Sequence, residues 1–367
     1  MNSPDVAVVQ SSSPTASDEY QGLLVSSDSH VMESTTLWAE RLPENLRADA
    51  PRFVKPQVVQ GRPGGYDPAA RLDEMAVDGV SAEVLYPTLG LQLFALEDLA
   101  LQEACFRVYN DWVSEYCKVA PQRLVGIAAL SAYQIDHAVL ELERAKKQGM
   151  KGGMIWQAPP PELQFYTRHY DPLWAAAQRM HLPMSLHIVT GFDWSKALRE
   201  ETRTGKPWTD EDKEKTGLYG LRYLNAKVFT AMNALHDIIF SGVFNRFPDL
   251  KLVLVENNIG WLPFMLAQWD NKFKKKVSGE LKKLPSEYFR DHCYATFIED
   301  PVGGQNLAWW GVDNSMWSND YPHNASSWPH SRRTVKEDLG HLSEATLKKV
   351  LWETVCRLYD LEKPAAV

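Results

Sequence analysis

Side chains able to grip a cation recur in this chain at the ends of apolar runs. In Leu23-Leu24-Val25-Ser26-Ser27-Asp28-Ser29-His30-Val31 the run closes on an acid, one spacer and a histidine. Successive side chains of a strand alternate between faces, so Asp28 and His30 point the same way at its C-terminal end. Alone, an Asp-X-His triplet is more often a hydrogen-bonded turn than a metal site. Here the arrangement recurs: Pro183-Met184-Ser185-Leu186-His187-Ile188 ends a second run in a histidine. A third, Ser315-Met316-Trp317-Ser318-Asn319-Asp320-Tyr321-Pro322-His323, ends in an acid. Three strand ends therefore offer four ligands, Asp28, His30, His187 and Asp320, to one divalent ion.

Such ligands need a frame that brings strand ends together, and the patterning supplies one. Strands are expected at Val80–Pro87, Leu124–Ala129, Met150–Trp156, Leu252–Val255, Cys293–Phe297 and Met316–Ser318, besides the two runs ending at His30 and His187. Helical spacing falls between them at Pro68–Asp78, Ala95–Lys118, Ile135–Lys147, Asp171–Met180, Leu224–Phe247, Gly260–Phe273 and Glu344–Leu361. Alternating strands and helices imply a parallel sheet, and about eight strands favour closure into a single α/β barrel, (β/α)8, over an open sheet. In such barrels the chemistry lies on the loops at the strands' C-terminal ends, where the four ligands fall. The charged stretch from Thr190 to Gly220 is too long for an ordinary connection; it is expected as an insertion after the fifth strand, either a lid or a surface excursion. Residues 1–20, with Ser11-Ser12-Ser13-Pro14-Thr15, read as a disordered polar tail, and residues 21–367 as one domain.

Composition narrows the function. A net charge of −8, from 39 basic and 47 acidic residues, argues against a nucleic-acid surface, which needs a concentrated positive field. Cys105, Cys117, Cys293 and Cys356 form no close framework and read as thiols of a reducing cytoplasm. No apolar run is long enough to span a bilayer, and the first residues lack the pattern of a secretory signal. A small-molecule substrate is the expectation. Trp156, Trp261, Trp309, Trp310, Trp317 and Trp328 near strand ends or loops hint at a flat, aromatic one, although filling the core is the better explanation for any single tryptophan.

Asp28-Ser29-His30, the His187 strand, Phe240-Ser241-Gly242-Val243-Phe244-Asn245-Arg246-Phe247-Pro248-Asp249-Leu250-Lys251 and Asp320-Tyr321-Pro322-His323 together resemble the amidohydrolase superfamily, in the branch that includes aminocarboxymuconate-semialdehyde decarboxylase. The resemblance covers about Leu23 to Leu361. It implies a distorted (β/α)8 TIM barrel, often dimeric, with one divalent ion held by Asp28, His30, His187 and Asp320. Two carboxylates and two neutral imidazoles balance a dication, and mixed nitrogen and oxygen ligation suits zinc first, with manganese the alternative. One departure stands out. Where the branch's decarboxylases carry a histidine after the sixth strand, this chain has Glu256, in Val255-Glu256-Asn257-Asn258-Ile259-Gly260. A glutamate there is a ligand, a general base or a helix cap.

Two reactions follow from this set. The first expectation is metal-dependent hydrolysis of a carbonyl compound, cleaving a C–N, C–O or activated C–C bond. In it Asp320 is ligand and base, Glu256 assists, and His323 positions the substrate or protonates the leaving group. The alternative is non-oxidative decarboxylation of an aromatic or unsaturated acid, with Arg168, His169 and His236 as candidates to hold the anion. A third possibility is a barrel that binds a ligand without turning it over; an intact polar cluster, costly to keep, speaks against it.

Overall fold

The computed structural model describes residues 18–53, 62–191, 225, 228–275 and 281–367. Most of the expected tail, and the expected insertion Thr190–Gly220 beyond Gly191, lie outside these residues. Tyr20 is described, and it exchanges hydrogen bonds with Arg332.

Eight parallel strands form one sheet in sequence order: β1 (Val25–Val31), β2 (Ala82–Pro87), β3 (Leu124–Ala129), β4 (Gly152–Ala158), β5 (Met184–Gly191), β6 (Leu252–Val255), β7 (Cys293–Phe297) and β8 (Ser315–Trp317). Their residues are almost all buried, as strands covered on both faces must be, which is why they read as near-continuous apolar runs. The sheet curls into a TIM barrel, and β1 meets β8 to close it. At that seam His30 N–H donates to Tyr321 O at 2.6 Å and Asp320 N–H to Asp28 O at 3.1 Å.

β1 is the exception to apolar strands, and the seam explains it. Ser26, Ser27, Asp28, Ser29 and His30 are all fully buried. Ser27 Oγ donates to Trp317 O at 2.9 Å, Ser29 Oγ to Asn319 Oδ1 at 2.8 Å, and Ser26 Oγ accepts from Asn319 N–H at 3.0 Å. The hydroxyls supply pairing that the three-residue β8 is too short to provide.

Helices Pro68–Asp78, Ile135–Lys147 and Asp171–Met180 fall where their spacing predicts. The expected helix Leu224–Phe247 is divided: residues 228–240 are helical, Gly242 turns left-handed with φ 72°, and a short helix Val243–Arg246 follows. The C-terminal helix keeps its expected start at Glu344 but winds through a π segment at Lys349–Glu353 and ends at Leu358. Trp156 and Trp317 are buried wholly in the core. No helix of the described residues is long and apolar enough to cross a membrane.

Candidate metal centre at the barrel mouth

β1, β5 and β6 end on one shared space. His30 Nε2 lies 3.5 Å from Asp28 Oδ1, and His187 Nε2 lies 3.6 Å from the same oxygen. His30 Nε2 is 3.4 Å from Asp320 Oδ1, and His187 Nε2 is 3.9 Å from Glu256 Oε2. Two ligands of one divalent ion, at bonds of about 2.0–2.2 Å and ordinary angles, sit about 3.0–3.6 Å apart, so the first three spacings suit a common cation.

Hydrogen bonding fixes which ring nitrogens are free. His30 Nδ1 faces Pro87 O at 2.8 Å and His187 Nδ1 faces Ile188 O at 2.8 Å. A carbonyl can only accept, so both protons sit on Nδ1 and both Nε2 atoms turn a lone pair to the shared space. Metal-ligating histidines donate their other ring N–H to a carbonyl or carboxylate in the same way. His30 Nε2, His187 Nε2 and both Asp28 carboxylate oxygens are buried without a hydrogen-bond partner. A buried carboxylate with no donor, beside two bare imidazole nitrogens, is costly unless a cation joins them. These residues fit a divalent ion.

The charges agree. Burial pushes the Asp28 carboxyl up, with the His187 imidazole partly opposing it. Burial, with the neighbouring His323 and His187, holds His30 well below the usual histidine range, so it is neutral. Burial also pulls His187 down, but the Asp28 and Glu256 carboxylates outweigh it and raise His187 overall. A proton drawn to His187 Nε2 is one that a cation must displace.

Asp320 and His323 form the outer edge. Asp320 adopts φ 52°, and His323 Nδ1 donates to its Oδ1 at 2.9 Å. His323 Nε2 meets Thr88 Oγ1 at 3.0 Å, and its ring lies 4.0 Å from that of His30, tilted by 32°. Burial depresses His323, yet the Asp320 carboxylate and its hydrogen bond, helped by Glu256 and Asp28, push it up to about 9. At neutral pH it is an imidazolium.

All six residues expected from sequence therefore gather at one mouth. Three others were not expected. Thr88 follows β2 and holds His323, and Tyr86 on β2 lies with its ring 5.2 Å from that of His187. Arg71 is fully buried and donates to His30 O at 2.8 Å and to Glu83 Oε2 at 2.5 Å. A hydroxyl after a strand-ending proline was the only signal for Thr88; a charge inside a helix carries none. The expected anion-holding candidates sit elsewhere: Arg168 in an exposed pair with Asp171, His169 against Ala132 O, and His236 in an exposed pair with Asp237.

A family model described as amidohydrolase matches residues 27–361. The chain belongs to the amidohydrolase family. The fold and the branch inferred from its motifs are both borne out. Among this amidohydrolase's relatives is gamma-resorcylate decarboxylase of Polaromonas sp. (strain JS666), 24% identical over 286 residues, which cover 73% of this chain and 80% of the relative. Among solved structures, an amidohydrolase from Mycobacterium avium subsp. paratuberculosis K-10 superposes with a TM-score of 0.73 at 16% identity, covering 92% of this chain and 99% of that one. Dihydroxybenzoic acid decarboxylase from Polaromonas sp. JS666, with bound manganese and the inhibitor 2-nitroresorcinol, superposes with a TM-score of 0.66 at 20% identity, covering 94% and 98%.

Proposed function

We propose that this amidohydrolase catalyses the non-oxidative decarboxylation of a hydroxylated aromatic acid, with a divalent ion held by Asp28, His30 and His187 and with manganese preferred over zinc. The observation that carries this reading is the similarity to gamma-resorcylate decarboxylase along 73% of the chain. It favours the alternative drawn from the sequence over hydrolysis, for which the comparisons offer no support. Manganese is favoured because a structural relative carries it.

A divalent ion bound there supplies electrophilic pull on the oxygens of the acid and its neighbouring hydroxyl. Decarboxylation then needs one proton on the ring carbon that bears the carboxylate. The carbon–carbon bond breaks, its electron pair restores the aromatic ring, and carbon dioxide leaves. His323 gives that proton. Its raised pKa, about 9, keeps it charged at neutral pH, the form a general acid needs. Asp320 orients the ring through Nδ1 and stabilises the charged form, and Thr88 holds Nε2. Both contacts keep the imidazolium in one orientation before substrate arrives.

The test is direct. Protein stripped by chelator, reloaded with Mn2+ and given 2,6-dihydroxybenzoate and a panel of hydroxybenzoates is expected to release one carbon dioxide per phenol formed. His323→Asn should lower that rate by at least about 100-fold. Turnover of esters, lactones or amides, with no carbon dioxide from any acid, would overturn the reading in favour of hydrolysis.

A further inference from the structure

We propose that Glu33, just beyond the end of β1, is a positioning residue for the proton-transfer step: its carboxylate holds the loop after β2 so that Thr88 meets His323 in one place. The inference rests on the reading of His323 as proton donor, and it gives a role to a buried acid that neither the sequence motifs nor the ion-binding set accounts for.

Three observations carry it. First, Glu33 is buried, and its carboxylate faces one stretch of main chain. Oε2 accepts from the N–H groups of Thr88 at 3.2 Å and Leu89 at 2.9 Å, and Oε1 accepts from Gly90 N–H at 3.0 Å. Among the described residues no basic side chain pairs with it, so three consecutive main-chain donors stand where a cation would otherwise be needed. Second, the sheet does not place Thr88. β1 and β2 stay in register as far as Val31 and Pro87, so Pro87 O, which takes the His30 Nδ1 proton, is fixed by strand pairing. Thr88 is the first residue past that pairing, and the bonds to Glu33 take over there. Third, the approach is close. A Cβ on Gly90 would meet Glu33 Oε1 at 2.9 Å and the Pro87 side chain at 2.8 Å, so only glycine lets the carboxylate come this near.

The loop so held carries Thr88 Oγ1 to 3.0 Å from His323 Nε2, the ring nitrogen that remains once Nδ1 faces Asp320. It runs on as a 3-10 helix, Leu89–Ala95, whose Leu89, Gly90, Leu91, Leu93 and Phe94 are buried and which packs against β5, three strands further round the barrel. The carboxylate therefore pins the near end of a segment that crosses the mouth. A hydroxyl aims a neighbouring ring only as well as its own main chain is fixed, and a displacement of about 1 Å near the reacting atoms can cost about 100-fold in rate. Glu33 acts through Thr88 rather than on the reacting atoms.

The experiment measures decarboxylation by the Mn2+-loaded full chain at about pH 8, above the value of about 7 to which burial pushes the Glu33 carboxyl against the pull of its N–H partners. Glu33→Gln, whose amide turns a donor towards one of the three N–H groups, and Thr88→Val should each lower kcat at least about tenfold, with KM and Mn2+ affinity within about threefold of wild type. Since both act through one contact, the double variant should fall no more than about threefold below the lower single. Gly90→Ala leaves Glu33 in place but pushes the loop off it, and should lose kcat in the same way. Hydrogen exchange at the amides of Thr88, Leu89 and Gly90 should quicken in Glu33→Gln, with β3 and β4 unchanged. Circular dichroism confirms that each variant folds. Losses in kcat that multiply in the double variant, or unchanged exchange at the three amides in Glu33→Gln, would overturn the assignment and leave the proposed reaction standing. A wild type that releases no carbon dioxide from any hydroxybenzoate would overturn the reaction and with it the part given to Glu33; the exchange comparison would still show whether the acid holds the loop.

Discussion

His323 is gripped at both ring nitrogens, by Asp320 and by Thr88, and its titration is therefore tied to folding. With its pKa raised to about 9 from 6.5, the folded ion-free protein holds a proton that the unfolded chain releases between those values. The stability this gives is fully present below about pH 6.5 and fades as pH rises through about 9, amounting to at most about 3 kcal/mol. Urea midpoints of chelator-treated protein between pH 6 and 9.5 should fall for wild type, and the fall should flatten in His323→Gln. Equal slopes in the two proteins would show that the proton is held elsewhere. At this scale the sequence was informative where chemistry follows a strand: acids and histidines closing apolar runs marked Asp28, His30, His187 and Asp320. It was silent on Thr88, because a threonine at a strand end has too many ordinary uses to single out. It left Glu256 undecided, and the capping of the turn at Ile259 and Gly260 falls to Asp300 instead.

Among the elements, helix Pro68–Asp78 steadies β1 through one side chain. Arg71, on its buried face, donates to His30 O, pairs with Glu83 of β2 at 2.5 Å, and lies 4.3 Å below the ring of Tyr321, the neighbour of Asp320. One side chain thus links the first two strands to the loop after β8. Arg71→Met leaves Glu83 buried without its cation, and removing one partner of a buried pair costs roughly 3–5 kcal/mol. Arg71→Met with Glu83→Leu should recover much of that loss, so a double-mutant cycle in urea should give a large coupling; additive losses would mean that the pair does not act as a unit. Strands were readable from sequence because those buried on both faces are apolar throughout, and β3, β6 and β7 match their expected limits. Helices Pro285–His292 and Ser331–Leu339 were not anticipated. The second buries only Ser331, Val335 and Leu339, a stripe too narrow to stand out among charged neighbours. The divided helix before β6 went unseen because Gly242 is tolerated within a helical pattern until its left-handed φ is known.

For the molecule as a whole, the metal centre and the closing seam are one structure. Asp28 and His30 sit on β1, and Asp320 reaches the same space from beyond β8. The main-chain bonds joining the two sides, His30 N–H to Tyr321 O and Asp320 N–H to Asp28 O, belong to the residues that line the centre or adjoin it. An ion drawn to the bare atoms of Asp28, His30 and His187 therefore braces the barrel where its ladder is shortest. Because the unfolded chain has no such site, an ion at 100 times its Kd stabilises the protein by about 2.7 kcal/mol, a rise in Tm of roughly 3–4 °C for a chain of this size. Chelation should reverse that rise. It should also speed hydrogen exchange at the amides of His30 and Asp320 well beyond any change at β3 and β4, whose pairing, Ile127 with Gly152 through Ala129 with Met154, contains none of the donors. Uniform acceleration along all eight strands would mean that the ion stabilises the barrel without bracing its seam.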